Sequence, residues 1–174
     1  MIKIDKANIL ILCYNNNHNI MLDIEILAIG KIKAKYIKEG ILEYEKRLKP
    51  FAWVQTIELP AVAFNSSNKN KAKKEEGELI SQYLAKRPNA HIIFLEEKGK
   101  TFDSVEWAGF LNKISQKIIF VLGGSLGIDS KINIKPDIIL SLSKLTFSHE
   151  LARLVLFEQI YRAATIINNK DYHY

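Results

Sequence analysis

The chain has 174 residues, 48% of them hydrophobic and 25% charged, with a formal net charge of +6. That balance suits one globular domain with a real core and excludes a disordered or collagenous chain. Apolar runs fall short of the ~20 residues a membrane helix needs, and the lone cysteine, Cys13, excludes an intrachain disulfide or thiolate cluster.

The basic excess favours an acidic partner, nucleic acid before membrane. Its weight is modest, because the chain is rich in Ile, Lys and Asn, which an A+T-biased codon usage produces unselected. A reducing, cytoplasmic compartment is expected, with no membrane and no metal as partner.

In residues 1–13, lysines precede ANILILC. The apolar part sits at the short limit of the ~7–15 residues of a secretion signal, and an Asn-rich patch stands where a cleavage site should follow, so targeting is not expected. The domain begins near Met21 and runs to residue 174. Residues 1–20 form an extension, readable as an added strand, a disordered arm or sequence upstream of the natural start.

From Met21 the chain alternates strand and helix. Ile24 to Ile29 read as a strand closed by Gly30, and Lys33–Leu48 as a helix with Tyr36, Ile37, Ile41, Tyr44 and Leu48 on its apolar face, ended by Pro50. Trp53 to Leu59 form a second strand, stopped by Pro60. Asn65 to Asn70 read as a loop made positive by Lys69, Lys71, Lys73 and Lys74, and helical spacing resumes over Glu75–Leu84.

His91 to Leu95 is a short strand with a polar exit, Glu96 to Gly99. Asp103 and Glu106 have the spacing of a helix N-terminal box, with Val105, Trp107, Phe110, Leu111 and Ile114 as the buried face. Lys117 to Leu122 is a buried strand delivering Gly123-Gly124-Ser125-Leu126-Gly127. Ile138 to Leu140 reads as another, breaking into an elbow at Leu142–Phe147. This alternation predicts an α/β fold, a largely parallel sheet flanked by helices.

The exits at 95–99, 123–127 and 142–147 then share one sheet edge, where α/β proteins hold ligands. GGSLG lacks the lysine of a P-loop, and no dinucleotide fingerprint is present, which disfavours nucleotide hydrolysis and hydride transfer. Alone, the elbow reads equally as a ligand loop or an ordinary connection and GGSLG more often as a turn; the convergence of the three exits favours a site.

The last helix, from His149, carries apolar residues on every side, including Leu151, Leu154, Val155, Phe157 and Ile160. Such a helix must be covered all round, and in a short chain a second subunit can supply the cover, so a symmetric dimer is expected. His149 and Arg153 share one face, Glu158 and Arg162 roughly the opposite one. The tail Lys170–Tyr174 reads as flexible, with Tyr172 and His173 of the types that stack on unpaired bases.

The ordered motifs LAIGK, YEKRL, FLEEKG, FVLGGSLG, LSLSKLTFSHELAR, EQIYRA and a closing YH resemble the RlmH family, small SPOUT-class methyltransferases acting on a pseudouridine of large-subunit ribosomal RNA. The resemblance runs from about Met21 to the C-terminus. It implies a SPOUT-type domain with a C-terminal trefoil knot, a homodimer, and S-adenosyl-L-methionine as cofactor. It assigns the cofactor to Leu95, Gly123, Leu142, Ser143, Lys144, Leu145, Thr146 and Phe147. It suggests further that His149, Arg153, Glu158, Arg162, Tyr172 and His173 face substrate or brace the site; of these His149 and Tyr172 are the expected substrate contacts and Glu158, His173, Arg153 and Arg162 the expected catalytic residues, each arginine reading equally as a brace of its helix. Glu158 or His173 would remove the N3 proton, and Arg153 or Arg162 would hold phosphate or developing charge.

Three departures stand out. Ser148 and Asp171 occupy positions where the family usually has Pro, and Tyr174 closes a tail usually ended by a basic residue. The function implied is N3 methylation of a pseudouridine in large-subunit ribosomal RNA, on assembled ribosomes. Two rivals are a transfer RNA methyltransferase of the same class and a non-catalytic RNA-binding protein.

Overall fold

A computed structural model describes residues 20–172. The N-terminal extension up to Asn19, with its weighed targeting signal, and His173 and Tyr174 lie outside the described residues. Five strands form one parallel sheet: β1 (Leu22–Ile29), β2 (Ala52–Leu59), β3 (His91–Lys100), β4 (Ile118–Leu122) and β5 (Ile138–Leu140). Their order across the sheet is β2-β1-β4-β3-β5, so β1, β4 and β3 are interior and β2 and β5 are edges; β1 and β4 form the central pair that both cores share. Four helices flank it: α1 (Lys35–Leu48), α2 (Lys69–Leu84), α3 (Ser104–Asn112) and α4 (His149–Ile167).

Period-two alternation in the central strands builds two cores. Ile24, Ile26 and Ala28 of β1, with Phe120 and Leu122 of β4, face α1, α3 and α4. Leu27, Ile29, Ile119 and Val121 face the other way, onto Ile80 and Leu84 of α2 and onto Ile128. Both central strands are therefore buried on both sides, as parallel strands covered by helices must be.

Local signals set several boundaries. Asp103 accepts hydrogen bonds from the Val105 and Glu106 amides at 2.9 and 2.7 Å, and Glu106 returns one from the Asp103 amide at 3.0 Å, the box anticipated from spacing. Asp137 fastens the start of β5 to β3, accepting from the Ile92 amide at 2.7 Å while its own amide donates to the Ile92 carbonyl at 2.9 Å.

Some expectations are corrected. α2 starts at Lys69, not Glu75, because an Asn65–Asn68 turn leads straight into it and Ala72 already packs inward; the lysine run is helical. β3 continues through Glu96–Gly99 to Lys100, whose carbonyl accepts from the Ser141 amide at 2.9 Å. Val105 and Tyr36, placed on buried faces by periodicity, are 58% and 73% exposed. The tail up to Tyr172 is docked, as described below.

Candidate active site

The C-terminal edge of the sheet opens into a cavity of about 660 Å³. All three strand exits line it: Leu95 to Lys98 from β3, Leu122 to Ile128 after β4, and Leu140 to Ser143 with Leu145 to Phe147 after β5. Of the expected cofactor residues it joins Leu95, Gly123, Leu142, Ser143, Leu145, Thr146 and Phe147; Lys144 is exposed beside it. His149 and Ala152 close the side formed by α4.

Glycine and serine let three main chains converge here. A Cβ on Gly99 would stand 2.5 Å from the Leu140 carbonyl carbon, and one on Gly123 would stand 2.6 Å from that of Gly127, so any side chain would push backbone apart. The buried Ser141 donates its hydroxyl to the Ser143 carbonyl at 2.9 Å, and Ser143 Oγ accepts from the Leu145 amide at 3.0 Å, which shapes the elbow. Ser148, where proline was expected from the resemblance, is the N-cap of α4, its hydroxyl accepting from the Leu151 amide at 3.3 Å. Glu150 in the next turn takes the Ala34 and Lys33 amides at 3.0 and 3.2 Å, which holds its carboxyl below the usual range and pins the β1–α1 connection to α4.

The cavity combines apolar walls (Leu95, Leu122, Ile128, Leu142) with a charged rim of Glu96, Glu97, Lys98 and Lys73. Such a division suits a ligand with a flat apolar part and a charged tail, and the volume lies in the range of small-molecule sites. Beneath the glycine run sits Glu76, 4% exposed, a residue that sequence reasoning missed. Its Oε1 accepts from the Val62 amide at 3.0 Å, while Oε2 has no hydrogen-bond partner among the described residues and would meet a Gly124 Cβ at 2.9 Å. Burial raises its pKa, opposed by the Val62 amide and by His149. The one available signal was its helical phase with Ala72 and Ile80.

A second cluster lies farther along α4. Glu158 Oε1 accepts from Arg162 Nη2 at 2.6 Å and Nε at 3.0 Å, and its Oε2 accepts from Gln159. Tyr172 folds back so that its hydroxyl lies 3.5 Å from Glu158, its ring 4.8 Å edge-on to Tyr161, and the Arg162 guanidinium over its face. Tyr44 of α1, read from the sequence as a core-facing residue and as part of the YEKRL motif but not as a site residue, joins from the side, its ring packing on Tyr161 at 6.0 Å. Glu158 follows His149 by nine residues, roughly 13 Å along the helix axis. The structure thus groups Glu158, Arg162 and Tyr172, and sets them apart from the cavity of the same chain.

Arg153 belongs to neither group. Only 2% exposed, it donates to Glu58 Oε1 at 2.6 Å and to the Gly30 carbonyl at 2.9 Å, tying α4 to the exits of β1 and β2. Among the described residues, no group of three His, Cys, Asp or Glu side chains is placed to hold a metal, and no helix is long and apolar enough to cross a membrane.

The family described as "Predicted SPOUT methyltransferase" matches residues 22–173 of the 174. The chain belongs to the SPOUT methyltransferase family. Relatives within reach of this SPOUT chain include ribosomal RNA large subunit methyltransferase H of Carboxydothermus hydrogenoformans, 41% identical over 87% of this chain and 99% of its own. The protein of the same name in Exiguobacterium sp. is 43% identical over 87% of this chain and 99% of its own. Among solved structures, a probable methylase family protein from Haemophilus influenzae superposes with a TM-score of 0.55 at 13% identity, covering 88% of this chain and 71% of that one. At that identity the likeness is one of fold alone. The cavity of this SPOUT methyltransferase lies where β3, β4 and β5 end.

Proposed function

We propose that this enzyme transfers a methyl group from S-adenosyl-L-methionine to N3 of a pseudouridine in large-subunit ribosomal RNA, on assembled ribosomes in the cytoplasm. The observation that carries the reading is the cavity at the three strand exits, in a chain whose 41–43% identical relatives are named ribosomal RNA large subunit methyltransferase H. The working domain is residues 21–174, with its chain path completed by a C-terminal trefoil knot.

The cavity suits this cofactor. Leu95, Leu122, Ile128 and Leu142 offer apolar cover to a purine, while Glu96 and Glu97 offer negative charge to a cationic methionine tail. Gly123 and the elbow from Leu142 to Phe147 would hold it, with main-chain groups as the principal donors and acceptors. When bound, the cofactor supplies an electrophilic methyl on a sulfonium sulfur.

The chain's own task is to orient the target base and take its proton. N3 lies between two carbonyls and is a poor nucleophile while protonated, so a base must remove the proton as the N–CH₃ bond forms. Glu158 or His173 is the proposed base. Arg162, half-exposed, is the proposed partner for phosphate or for charge developing on the base; buried Arg153 is proposed to position α4. Tyr172 and His149 are proposed to contact the nucleotide.

Because Glu158 and Arg162 sit roughly 13 and 20 Å along α4 from His149, the proposal includes a homodimer in which one subunit's cavity meets the other's Glu158 cluster. Leu151, exposed on α4, gives that interface apolar area. A monomer active at assay concentration would exclude the composite site.

The deciding experiment offers labelled cofactor with 70S ribosomes lacking the modification, free large subunits and transfer RNA. Label in large-subunit RNA, preferring 70S particles, is expected. Label in transfer RNA alone would replace the substrate, and cofactor binding without any transfer would remove the assignment.

A further inference from the structure

α2 opens with a charge pattern that works against its own stability. Lys69, Lys71, Lys73 and Lys74 fall within its first six positions, its first turn has no acidic residue, and Asn68 makes no side-chain cap. Cations at a helix N-terminus add to the positive end of the macrodipole, an arrangement that favours a bound anion.

These side chains line a groove. It measures about 800 Å³ and runs between α2 and residues 129–133, with Lys71, Lys73, Lys74 and Lys131 around it and Asn70, Ser81 and Asn133 as neutral hydrogen-bonding groups. Two carboxylates also line it, Glu78 at 3.7 Å from Lys74 and Asp129, which accepts from the Lys131 amide at 3.1 Å, so four lysines face two acids. The Lys74–Glu78 pair and the 3.9 Å Lys71–Glu75 pair are exposed, a class worth little in water and readily exchanged. Lys73 and Lys131 have no ion-pair partner among the described residues.

Lys73 also lines the cofactor cavity. The groove and the cavity are therefore neighbours across one half-buried, uncompensated cation, and an anion in the groove would lead directly to the reacting site.

We propose that this groove carries the phosphodiester backbone of the substrate RNA as the target base enters the cavity. The inference rests on the RNA methyltransferase reading above. Lysines suit the task, being mobile point charges that grip phosphate without reading sequence. The groove lies on the face of the sheet that holds α2, opposite α1, α3 and α4, so it extends the substrate surface away from the helix cluster of Glu158 and Arg162.

The test compares the wild-type chain with Lys71→Gln/Lys74→Gln/Lys131→Gln, leaving the cavity residue Lys73 intact. A charge-matched control, Lys49→Gln/Lys86→Gln/Lys113→Gln, removes three exposed lysines at the opposite, N-terminal edge of the sheet. Direct binding to 70S ribosomes lacking the modification is measured across a salt series, beside binding of S-adenosyl-L-methionine and thermal stability. The groove variant is expected to lose about tenfold in ribosome affinity at low salt and about two in the slope of log affinity against log salt, since each lost phosphate contact removes ~0.7–0.9 of slope. Its cofactor affinity and melting temperature should match wild type. Equal losses in groove and control variants, or an unchanged salt slope in the groove variant, would overturn the proposal. Groove-dependent binding by a wild type that transfers no methyl would keep the groove as an RNA site and remove the methyl-transfer reading.

Discussion

Arg153 and Glu58 meet in a 2.6 Å ion pair across 95 residues of sequence, with the arginine side chain 2% exposed and the glutamate 30%. The asymmetry makes the two partners unequal. Glu58→Gln leaves a buried guanidinium uncompensated and should cost about 3 kcal/mol, whereas Arg153→Met leaves a carboxylate that can hydrate and should cost about 1–2 kcal/mol. Denaturant unfolding of both variants checks the order. If Arg153→Met keeps its fold at assay temperature but loses the single-turnover rate a hundredfold, Arg153 touches substrate rather than positioning α4.

Glu76 predicts a pH signature. Burial raises its folded pKa, so the native state binds this proton more tightly than the unfolded chain. The associated stability is fully present below the ordinary carboxylate value and is lost as pH rises through the raised folded value. Glu76→Gln should flatten stability across that window by up to about one proton of linkage. Parallel stability curves for the two proteins would show that the carboxyl titrates normally.

Tyr44 anchors the docked tail. Burial, then its hydrogen bond with Tyr172 and the nearby Glu158, pushes its phenol up to about 12; burial and Glu25 do the same for Tyr83, also to about 12. A phenolate absorbance titration should therefore show two late tyrosines, and Tyr44→Phe should abolish one. The raised phenol contributes stability that is complete below the unfolded tyrosine value near ~10 and is lost toward 12. The same substitution should cost about 1 kcal/mol and speed hydrogen exchange at the Lys170 and Tyr172 amides. Unchanged exchange would mean the tail is held without Tyr44.

Gly99→Ala tests the crossing of β3 and β5. Its Cβ would lie 2.5 Å from Leu140 backbone, which cannot yield without separating the strands. A loss of about 2 kcal/mol or more is expected, with cofactor binding weakened alongside. Gly109, with open space around its Cβ, serves as the control; equal behaviour of the two alanines would count against the close crossing.

Leu145 separates site from scaffold. It lines the cavity yet is 74% exposed, so Leu145→Ala should change stability by no more than about 0.5 kcal/mol. Titration with S-adenosyl-L-methionine should nonetheless show a several-fold loss of affinity, because a ligand in the cavity would be covered by this side chain. Retained affinity would place the ligand elsewhere.

Much of this architecture is legible in the chain itself. Ile24, Ile26 and Ala28 alternate with Leu27 and Ile29, and two-sided burial follows from that pattern because a central parallel strand has no wet face. The Asp103–Glu106 box and the exits after β4 and β5 are likewise local, set by residue type and spacing. Other features depend on partners distant in sequence. Lys69–Lys74 shows no apolar period, so its helix was hidden; Glu96–Gly99 is polar yet stays in a strand because Ser141 pairs with Lys100. The burial of Glu76, the contact of Tyr44 with Tyr161 and the Arg153–Glu58 pair were hidden for the same reason.

By itself, the sequence determined the strand–helix alternation, the glycine run after β4, the elbow after β5 and the family motifs, since these arise from local stereochemistry and periodicity. Only the tertiary structure decided that the exits share one cavity, that Arg153 is tied down while Arg162 reaches the surface, and that a lysine groove adjoins the cavity at Lys73. Those outcomes depend on which distant surfaces desolvate one another, and burial changes the energy of a charge far more than its identity does.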